Sequence, residues 1–297
     1  MVDEEVLEEL LIMNNLSSRH LKGRLLLAAG VIAVSISLLS LVALLLDSLL
    51  DGLPYLNWGF LTSYPSRFPD QAGILPALFG TIWVVGLTAL FSFPLGIFAA
   101  LYLEEYAPKN WLTDLIHLNI ANLAGVPSIV YGLLGLGLFV EALAIGRVIL
   151  AGALTMTLLI LPVIIITARE SIRSVPKEYR EGAFALGATR WQVASQIVLP
   201  EAFPGILTGT ILALSRAIGE AAPMIAIAAL AYVRFTPTSP FDRFTVIPIQ
   251  IYNWINMPRV EFRELAAAGI IVLLVVLLVM NSVAIFIRNK YQKRGVS

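Results

Sequence analysis

The chain has 297 residues, of which 58% are hydrophobic and only 13% are charged, and these proportions exclude an ordinary soluble domain. Twenty basic and twenty acidic residues give a formal net charge of zero, so the chain has no overall positive field for nucleic acid. The absence of cysteine excludes disulfides, thiolate zinc sites and cysteine nucleophiles, and the chain contains no Gly-Lys-Ser or Gly-Lys-Thr typical of a P-loop.

Six apolar stretches are long enough to cross a membrane, since a spanning helix needs about 20 apolar residues. They are Leu25 to Leu46, Leu75 to Leu103, Ile120 to Val140, Val148 to Ala168, Pro204 to Val233 and Leu265 to Ile287. Gly125 and Pro127 weaken the third stretch as an isolated helix, although close neighbours in a bundle repair such breaks. The sequence therefore predicts an all-α integral membrane protein with six transmembrane helices.

The distribution of lysine and arginine predicts the orientation. With the N-terminus inside the cell, thirteen of these residues fall in inner segments and six in outer segments, which favours two cytoplasmic termini. The predicted organisation is a cytoplasmic N-terminal segment (1–24), a first transmembrane helix (25–46), an external loop (47–74), a core of five transmembrane helices (75–287) and a basic cytoplasmic tail (288–297). Within the core, residues 169–203 form a cytoplasmic loop.

This loop carries helix signals of its own. Pro176 suits the first turn of a helix, and Gly187 can end that helix in the left-handed conformation. Thr189 and Gln192 have the spacing of a capping box at the start of a second helix, which Pro200 is expected to end. These signals predict two short helices joined at a glycine and lying at the membrane surface.

Four roles are compatible with such a helix pair. It could dock on a partner protein, lie on lipid headgroups as an amphipathic hairpin, bind DNA as a helix-turn-helix, or serve as a linker. A DNA-binding role is disfavoured because a single copy held between two membrane spans has poor access to a groove.

One further pattern lies in the same loop. It consists of Glu181, Gly182 and Ala183, followed by Gly187, Ile197, Leu199 and Pro200. The pattern resembles the EAA loop of ABC-importer membrane subunits: Glu-Ala-Ala, three residues, Gly, nine residues, Ile, one residue, then Leu-Pro. Only Gly182 departs from it, standing where the family usually has alanine. We therefore call residues 169–203 the EAA loop.

The resemblance implies a fold and a mechanical role. The fold would be that of a type I ABC-importer permease, and the EAA loop would carry the coupling helices. In that family the loop fits into a cleft on a separate ATP-hydrolysing subunit and passes its nucleotide-driven closure to the spans. The seven motif residues are thus expected to form the ATPase-coupling site, and the missing P-loop agrees with hydrolysis on another chain.

A charged pair, Arg216 and Glu220, lies inside the predicted fifth span. Arg216 is roughly 18 Å along the helix from Pro204, near the bilayer centre, where a lipid-facing charge is costly. In a continuous helix the pair shares a face with Gly205 and Gly209, whose spacing is typical of close helix packing. The pair could neutralise itself and fix the bundle, or it could line a translocation path.

Two longer runs resemble phosphate-importer permeases. They are Leu214 to Pro223, which contains the charged pair, and Phe244 to Tyr252. Together with the basic tail they are more similar to the A-type subunit (the PstA type) than to the C-type subunit. The resemblance implies that the chain moves inorganic phosphate across the cytoplasmic (inner) membrane by alternating access. Arg216 would offer the anion a fixed positive charge, which Glu220 would neutralise while the path is empty.

The same resemblance implies the partners. We expect a heterodimer with a second permease subunit, two ATP-binding subunits in the cytoplasm, an external phosphate-binding protein and membrane lipid, with no nucleic acid. No cofactor, metal site or catalytic residue is expected in this chain. It would be a transporter subunit and not an enzyme, because ATP is hydrolysed on a partner.

Other functions remain open on the residues alone. The substrate could be another oxyanion, such as phosphonate, molybdate or sulfate, or the chain could be the sister permease of the same phosphate importer. An intramembrane enzyme would need a nucleophile–base pair or a metal cluster, and Arg216 with Glu220 supplies neither. A receptor or purely structural protein would bind the ATPases without moving a substrate.

Overall fold

The computed structural model describes residues 4–227 and 232–292, and within these ranges the regular elements are helical. The chain separates into two compact units, Met1–Asp51 and Gly52–Ser297. The first unit is formed by α1 (Glu4–Gly52), whose apolar part from Lys22 onward is long enough to cross a membrane. The tail predicted at 288–297 is described only as far as residue 292, so its last five residues lie outside the described part.

The second unit is a bundle of helices of very different lengths. They are α2 (Trp58–Thr62), α3 (Leu75–Leu101), α4 (Trp111–Ala124), α5 (Ser128–Gly135), α6 (Ile149–Arg173), α7 (Lys177–Ala185), α8 (Arg190–Val193), α9 (Leu199–Gly219), α10 (Ala222–Ala226), α11 (Ile247–Ile255) and α12 (Glu261–Gln292). π-Helical turns follow α3, α5 and α8, at Tyr102–Tyr106, Leu136–Ala142 and Ala194–Val198. Among the described residues of the whole chain, five helical stretches are long and apolar enough to span a membrane, or six if α4 and α5 form one bent span.

The third predicted span is broken. In place of one helix over Ile120 to Val140, α4 ends at Ala124 and α5 begins at Ser128, and the two directions differ by 101°. Pro127 lies at the break; it has no N–H to donate and it restricts the preceding residue to extended backbone. The predicted third span is therefore not one helix, and the segment counts as a span only if α4 and α5 cross the membrane together as a bent pair.

Close contact between α6 and α9 holds the centre of the second unit together. Gly205 and Gly209 of α9 lie against Ser171 and Thr167 of α6. A Cβ atom built at Gly209 would come within 2.3 Å of the Thr167 hydroxyl oxygen. The small-residue spacing read from the sequence therefore marks a real helix contact, in which the glycines let two backbones approach.

The fifth predicted span is shorter than expected. α9 ends at Gly219, and Glu220 continues with extended backbone at φ −78° and ψ 111°. Pro223 cannot donate an N–H to the Gly219 carbonyl, and glycine is itself a weak helix former, so the helix stops there. Of the predicted span from Pro204 to Val233, the long helix thus covers only the part up to Gly219, and the short α10 (Ala222–Ala226) follows the break; residues 228–231 lie outside the described part.

The second helix of the EAA loop is longer than expected. Pro200 does not end it: α8, the π-helical turn and α9 form one helical stretch from Arg190 to Gly219. Pro200 occupies the first turn of α9, directly after the π-helical turn Ala194–Val198. Proline is tolerated in a first turn because its missing N–H interrupts no regular bond there. The surface helix and the fifth span are thus one connected element.

The N-terminus of α6 is closed by the segment that precedes α11. The N–H groups of Ile149 and Leu150 donate to the carbonyl oxygens of Asp242 and Pro240, at 3.1 and 2.9 Å. The Asp242 carboxylate in turn accepts two backbone N–H groups from residues 238–239, and these bonds hold the pKa of that carboxyl below its ordinary value. This closed end of α6 is opposite to the end from which the EAA loop leaves.

Candidate functional site

The EAA loop folds as two helices joined at a glycine, as its sequence predicted, although only the first of them, α7, is short. Gly187 follows α7 with a φ of +85°, in the left-handed region that glycine adopts without strain. The capping box at the start of α8 is complete: the Thr189 N–H donates to Gln192 Oε1 at 2.8 Å, and the Gln192 N–H donates to Thr189 Oγ1 at 3.3 Å. These two local features fix the angle between the helices.

The motif residues divide between an inner and an outer face of this helix pair. Ala183 is buried in an apolar cluster with Val193, Ala194 and Val198, so α7 is packed onto the start of the long helix. Ile197 and Leu199 pack against the same cluster. The remaining motif residues, Glu181, Gly182, Gly187 and Pro200, are exposed.

Large apolar side chains on the outer face point away from the cluster. Leu186 is 91% exposed and Trp191 59%, and Tyr179 and Phe184 are about half exposed. Exposed apolar groups that cluster together are typical of a surface that another molecule covers. The EAA loop therefore presents a preformed, partly apolar surface on a rigid helix pair.

The structure also reveals a polar cluster beside the EAA loop that the sequence reading missed. Glu104 and Glu105, in the π-helical turn after α3, form ion pairs with Arg169 and Arg180, at 2.7 and 2.9 Å. A cavity of about 790 Å³ is lined by these four side chains, by further residues of the EAA loop and by the segment that leads from α3 into α4. The sequence offered only one signal for this cluster, a pattern of opposite charges. Two acidic residues end one apolar stretch, and their arginine partners follow another apolar stretch, 65 and 75 positions later in the chain.

Arg216 and Glu220 form the predicted ion pair, but not on one continuous helix. Arg216 Nε donates to Glu220 Oε1 at 3.2 Å; Arg216 lies in the last turn of α9 and Glu220 just beyond it. The side chain of Arg216 is 54% exposed and that of Glu220 only 19%. The pair therefore stands at a helix break and directs its cation outward from the chain.

The position of Arg216 suits its charge. A cation in the last turn of a helix is stabilised by the unpaired carbonyl groups there, whereas a carboxylate is not. Glu220 consequently depends on Arg216 for compensation and lines a small gap that Thr81 and Met224 also border. Just before the pair, the Ser215 hydroxyl is hydrogen-bonded to Asn281 of α12, which ties the end of α9 to another candidate span.

Residues 92–293 match the family described as binding-protein-dependent transport system inner membrane component. This match covers α3 from Ser92 to its end, the EAA loop, the helix break at Glu220 and all of α12.

Curated relatives match over nearly the full length. The chain is 33% identical over 282 residues to the probable ABC transporter permease protein YqgI of Bacillus subtilis, covering 90% of this chain and 96% of that protein. It is 31% identical over 280 residues to the phosphate transport system permease protein PstA of Haemophilus influenzae, covering 93% and 96%. A probable PstA of Methanocaldococcus jannaschii is 29% identical over 273 residues, covering 92% and 94%.

Solved structures share the fold at low sequence identity. A bacterial alginate ABC transporter, solved with an alginate-pentasaccharide-bound periplasmic protein, matches with a TM-score of 0.64 at 18% identity, covering 88% of this chain and 92% of that chain. The MetNI methionine ABC transporter in an inward-facing conformation matches with a TM-score of 0.58 at 14% identity, covering 73% and 97%. These similarities place the helices in an importer-permease arrangement.

Proposed function

Because the chain belongs to the family of binding-protein-dependent transport system inner membrane components, and is thus a membrane subunit of an ABC importer, we propose that it is the A-type permease subunit of an inorganic phosphate importer. The observation that carries the proposal is the 31% identity to a phosphate permease over 93% of the chain. Substrates of permeases at much lower identity, such as alginate and methionine, carry no weight here because such similarity reports fold alone.

The proposed mechanism is alternating access driven from the EAA loop. One of the two ATP-binding subunits would cover the exposed apolar face around Leu186 and Trp191, and closure of the ATPase pair on ATP would move α7 and α8. Because α8 continues into α9 without interruption, that movement reaches the helix break at Glu220 through one connected element. Glu181, Gly182, Ala183, Gly187, Ile197, Leu199 and Pro200 are the residues to which we assign this coupling. ATP hydrolysis would then belong to the partner chains.

The translocation path is proposed to run past Arg216. The half-exposed guanidinium would face the second permease subunit, which would form a heterodimer with this chain, and phosphate would pass at that interface. A guanidinium presents a planar donor fork that matches phosphate oxygens, and Glu220 would hold it until the anion arrives. An external phosphate-binding protein would deliver the substrate on the opposite side from the ATPases, and both termini would be cytoplasmic.

Reconstitution of the complete complex tests the substrate. Vesicles that contain both permeases, the ATPases and the binding protein should take up phosphate with ATP, and phosphate should stimulate hydrolysis more than phosphonate, molybdate or sulfate. Vesicles without this chain should transport nothing. Stimulation by one of the other oxyanions, with no phosphate uptake, would transfer the proposal to that anion.

The position of this chain within the importer needs a separate measurement. The similarity to PstA predicts that it copurifies with a C-type permease in a one-to-one complex. Copurification with a second A-type chain would instead identify it as the sister subunit.

A further inference from the structure

Two adjacent carboxylates join the end of α3 to two other elements. Glu104 and Glu105 lie in the π-helical turn Tyr102–Tyr106. Successive helical side chains point in different directions, and these two reach different partners. Glu104 accepts from Arg169 at the end of α6, at 2.8 Å from Nε and 2.7 Å from Nη2, and Glu105 accepts from Arg180 on α7, at 3.0 Å from Nε and 2.9 Å from Nη2.

Arg180 contacts three elements at once. Besides its two bonds to Glu105, it donates from Nη2 to the carbonyl oxygen of Ile172, at 2.8 Å, and from Nη1 to that of Val175, at 2.6 Å. Ile172 belongs to the last turn of α6, and Val175 to the connection between α6 and α7. One guanidinium therefore holds the first EAA-loop helix to the ends of both α3 and α6.

The surroundings favour a fixed geometry for this contact. The side chains of Arg180 and Glu105 are 18% and 15% exposed, whereas those of the surface pair Arg259 and Glu261 are 52% and 45% exposed. Exposed ion pairs contribute little, because water and salt screen them and both side chains lose freedom. A partly buried pair with four donated bonds, two of them to backbone oxygens, is more rigid.

We propose that the Glu105–Arg180 pair is a positioning pair that passes displacement of the EAA loop to α3 and α6. The inference rests on the proposed function, in which an ATPase moves α7. The continuous helix formed by α8 and α9 is one connection through which movement of the EAA loop can reach the bundle. The Glu105–Arg180 pair is a second connection, to α3 and α6, on the N-terminal side of the loop. Without the pair, α7 still docks and still packs on its apolar cluster, which includes Ile97, Ala100 and Leu101 of α3, but it loses the charged contact that fixes its position relative to α3, so its movement reaches α3 less efficiently.

The test separates transport from hydrolysis in the reconstituted complex. Glu105→Gln keeps a side chain of the same size, Arg180→Gln leaves a shorter polar one, and each removes one charge. We expect ATPase activity close to that of the unsubstituted complex, while phosphate moved per ATP falls about tenfold, the scale of one lost charge-assisted hydrogen bond. For Arg180→Lys we expect a smaller loss of phosphate moved per ATP, because lysine keeps the charge. Some loss should remain, since lysine cannot reach every acceptor that Arg180 contacts. The double variant should be no worse than Arg180→Gln alone, since both changes break one contact.

Arg259→Gln is the matched control, because it breaks an exposed ion pair that joins no two spans; its ratio of transport to hydrolysis should not change. An unchanged ratio in both Glu105→Gln and Arg180→Gln would overturn the positioning role and leave the phosphate proposal intact. A parallel loss of hydrolysis and transport, with weaker ATPase binding, would also overturn it, since the pair would then serve docking. If Arg180→Gln does not assemble, Glu105→Gln and Arg180→Lys decide the question. Absence of ATP-driven phosphate uptake by the unsubstituted complex would instead count against the proposed function.

Discussion

Gly182 and Gly187 lie five residues apart in the EAA loop, and both are exposed, but their backbone conformations differ. Gly182 is helical, exposed and has no atom within 4 Å of a Cβ position, so nothing in the fold requires glycine there. Gly187 has a φ of +85°, which side chains branched at Cβ strongly resist. The helix at Gly182 would accept alanine, the residue that the family usually has there, whereas Gly187 sets the geometry of the coupling surface.

We predict that Gly182→Ala stabilises the chain. Alanine is the better helix former by about 0.5–1 kcal/mol, and its methyl group would meet open space. The thermal unfolding midpoint of the purified complex should rise, with phosphate uptake unchanged. A lower midpoint would mean that this surface of α7 is packed against a partner in the complex.

Gly187→Val should have the opposite effect on function. A β-branched residue at positive φ costs about 1–3 kcal/mol, so the turn between α7 and α8 would change shape. We expect weaker binding of the ATPase subunits or a loss of phosphate-stimulated hydrolysis, while Gly187→Asn, which tolerates this backbone region, should keep most activity. Normal stimulation in the valine variant would contradict the coupling assignment.

Arg216 carries the proposed selectivity for an anion. Arg216→Gln removes the charge and the guanidinium fork, and phosphate uptake by a fully assembled complex should fall about tenfold or more. Glu220 loses its partner at a helix C-terminus in this variant, so expression and assembly have to be measured beside uptake. Unchanged uptake would reject the path and leave the pair with a packing role.

Interrupted helices dominate the structure at the scale of elements. Pro127 separates α4 from α5, and Pro223 marks the end of α9, while Pro200 is absorbed into the first turn after a π-helical turn. Irregular backbone at membrane depth persists only where protein covers it or water reaches it. For this reason we propose that the substrate path passes the helix break at Glu220, which lies next to the half-exposed Arg216.

The close contact between α6 and α9 can be tested by a substitution that adds one methyl group at Gly209. Gly209→Ala would place a Cβ atom 2.3 Å from the Thr167 hydroxyl oxygen, and overpacking of this kind costs about 1–3 kcal/mol. A lower thermal unfolding midpoint is expected. Gly86→Ala on α3 is the control, since its Cβ would meet nothing within 4 Å; equal midpoints for the two variants would show that α9 shifts without cost.

At the scale of the whole second unit, α6 runs between the proposed ATPase surface and the end that we expect to face the external binding protein. One end carries the EAA loop, and the other is closed by the segment around Asp242. Such an arrangement suits a chain that receives a push on one side of the membrane and a substrate on the other.

The absence of cysteine makes the orientation directly measurable. Lys177→Cys in the EAA loop and Asp70→Cys in the loop before α3 each introduce a single exposed thiol. In sealed right-side-out vesicles, an impermeant maleimide should label residue 70 and not residue 177, and inside-out vesicles should reverse the result. Labelling of residue 177 from outside would contradict both the orientation and the ATPase contact.

The sequence alone determined the features that depend on neighbours along the chain. Apolar length predicted the membrane helices, and the positive φ at Gly187 and the Thr189–Gln192 capping box followed from residues only a few positions apart. The motif spacing then pointed to the family, since a surface that fits a partner keeps its residues in fixed register. Local stereochemistry suffices for each of these features.

The tertiary structure alone decided what depends on distant residues or on competing local effects. Glu104, Glu105, Arg169 and Arg180 are brought together by packing of α3 on α6, and nothing in their local sequence specifies that contact. Whether a proline breaks a helix also depended on the tertiary structure. The missing N–H of Pro127 coincides with a break between two helices. The missing N–H of Pro200 is harmless, because Pro200 follows a π-helical turn and lies where no regular backbone hydrogen bond is interrupted. Which charges meet and which helices break are properties of the packed bundle.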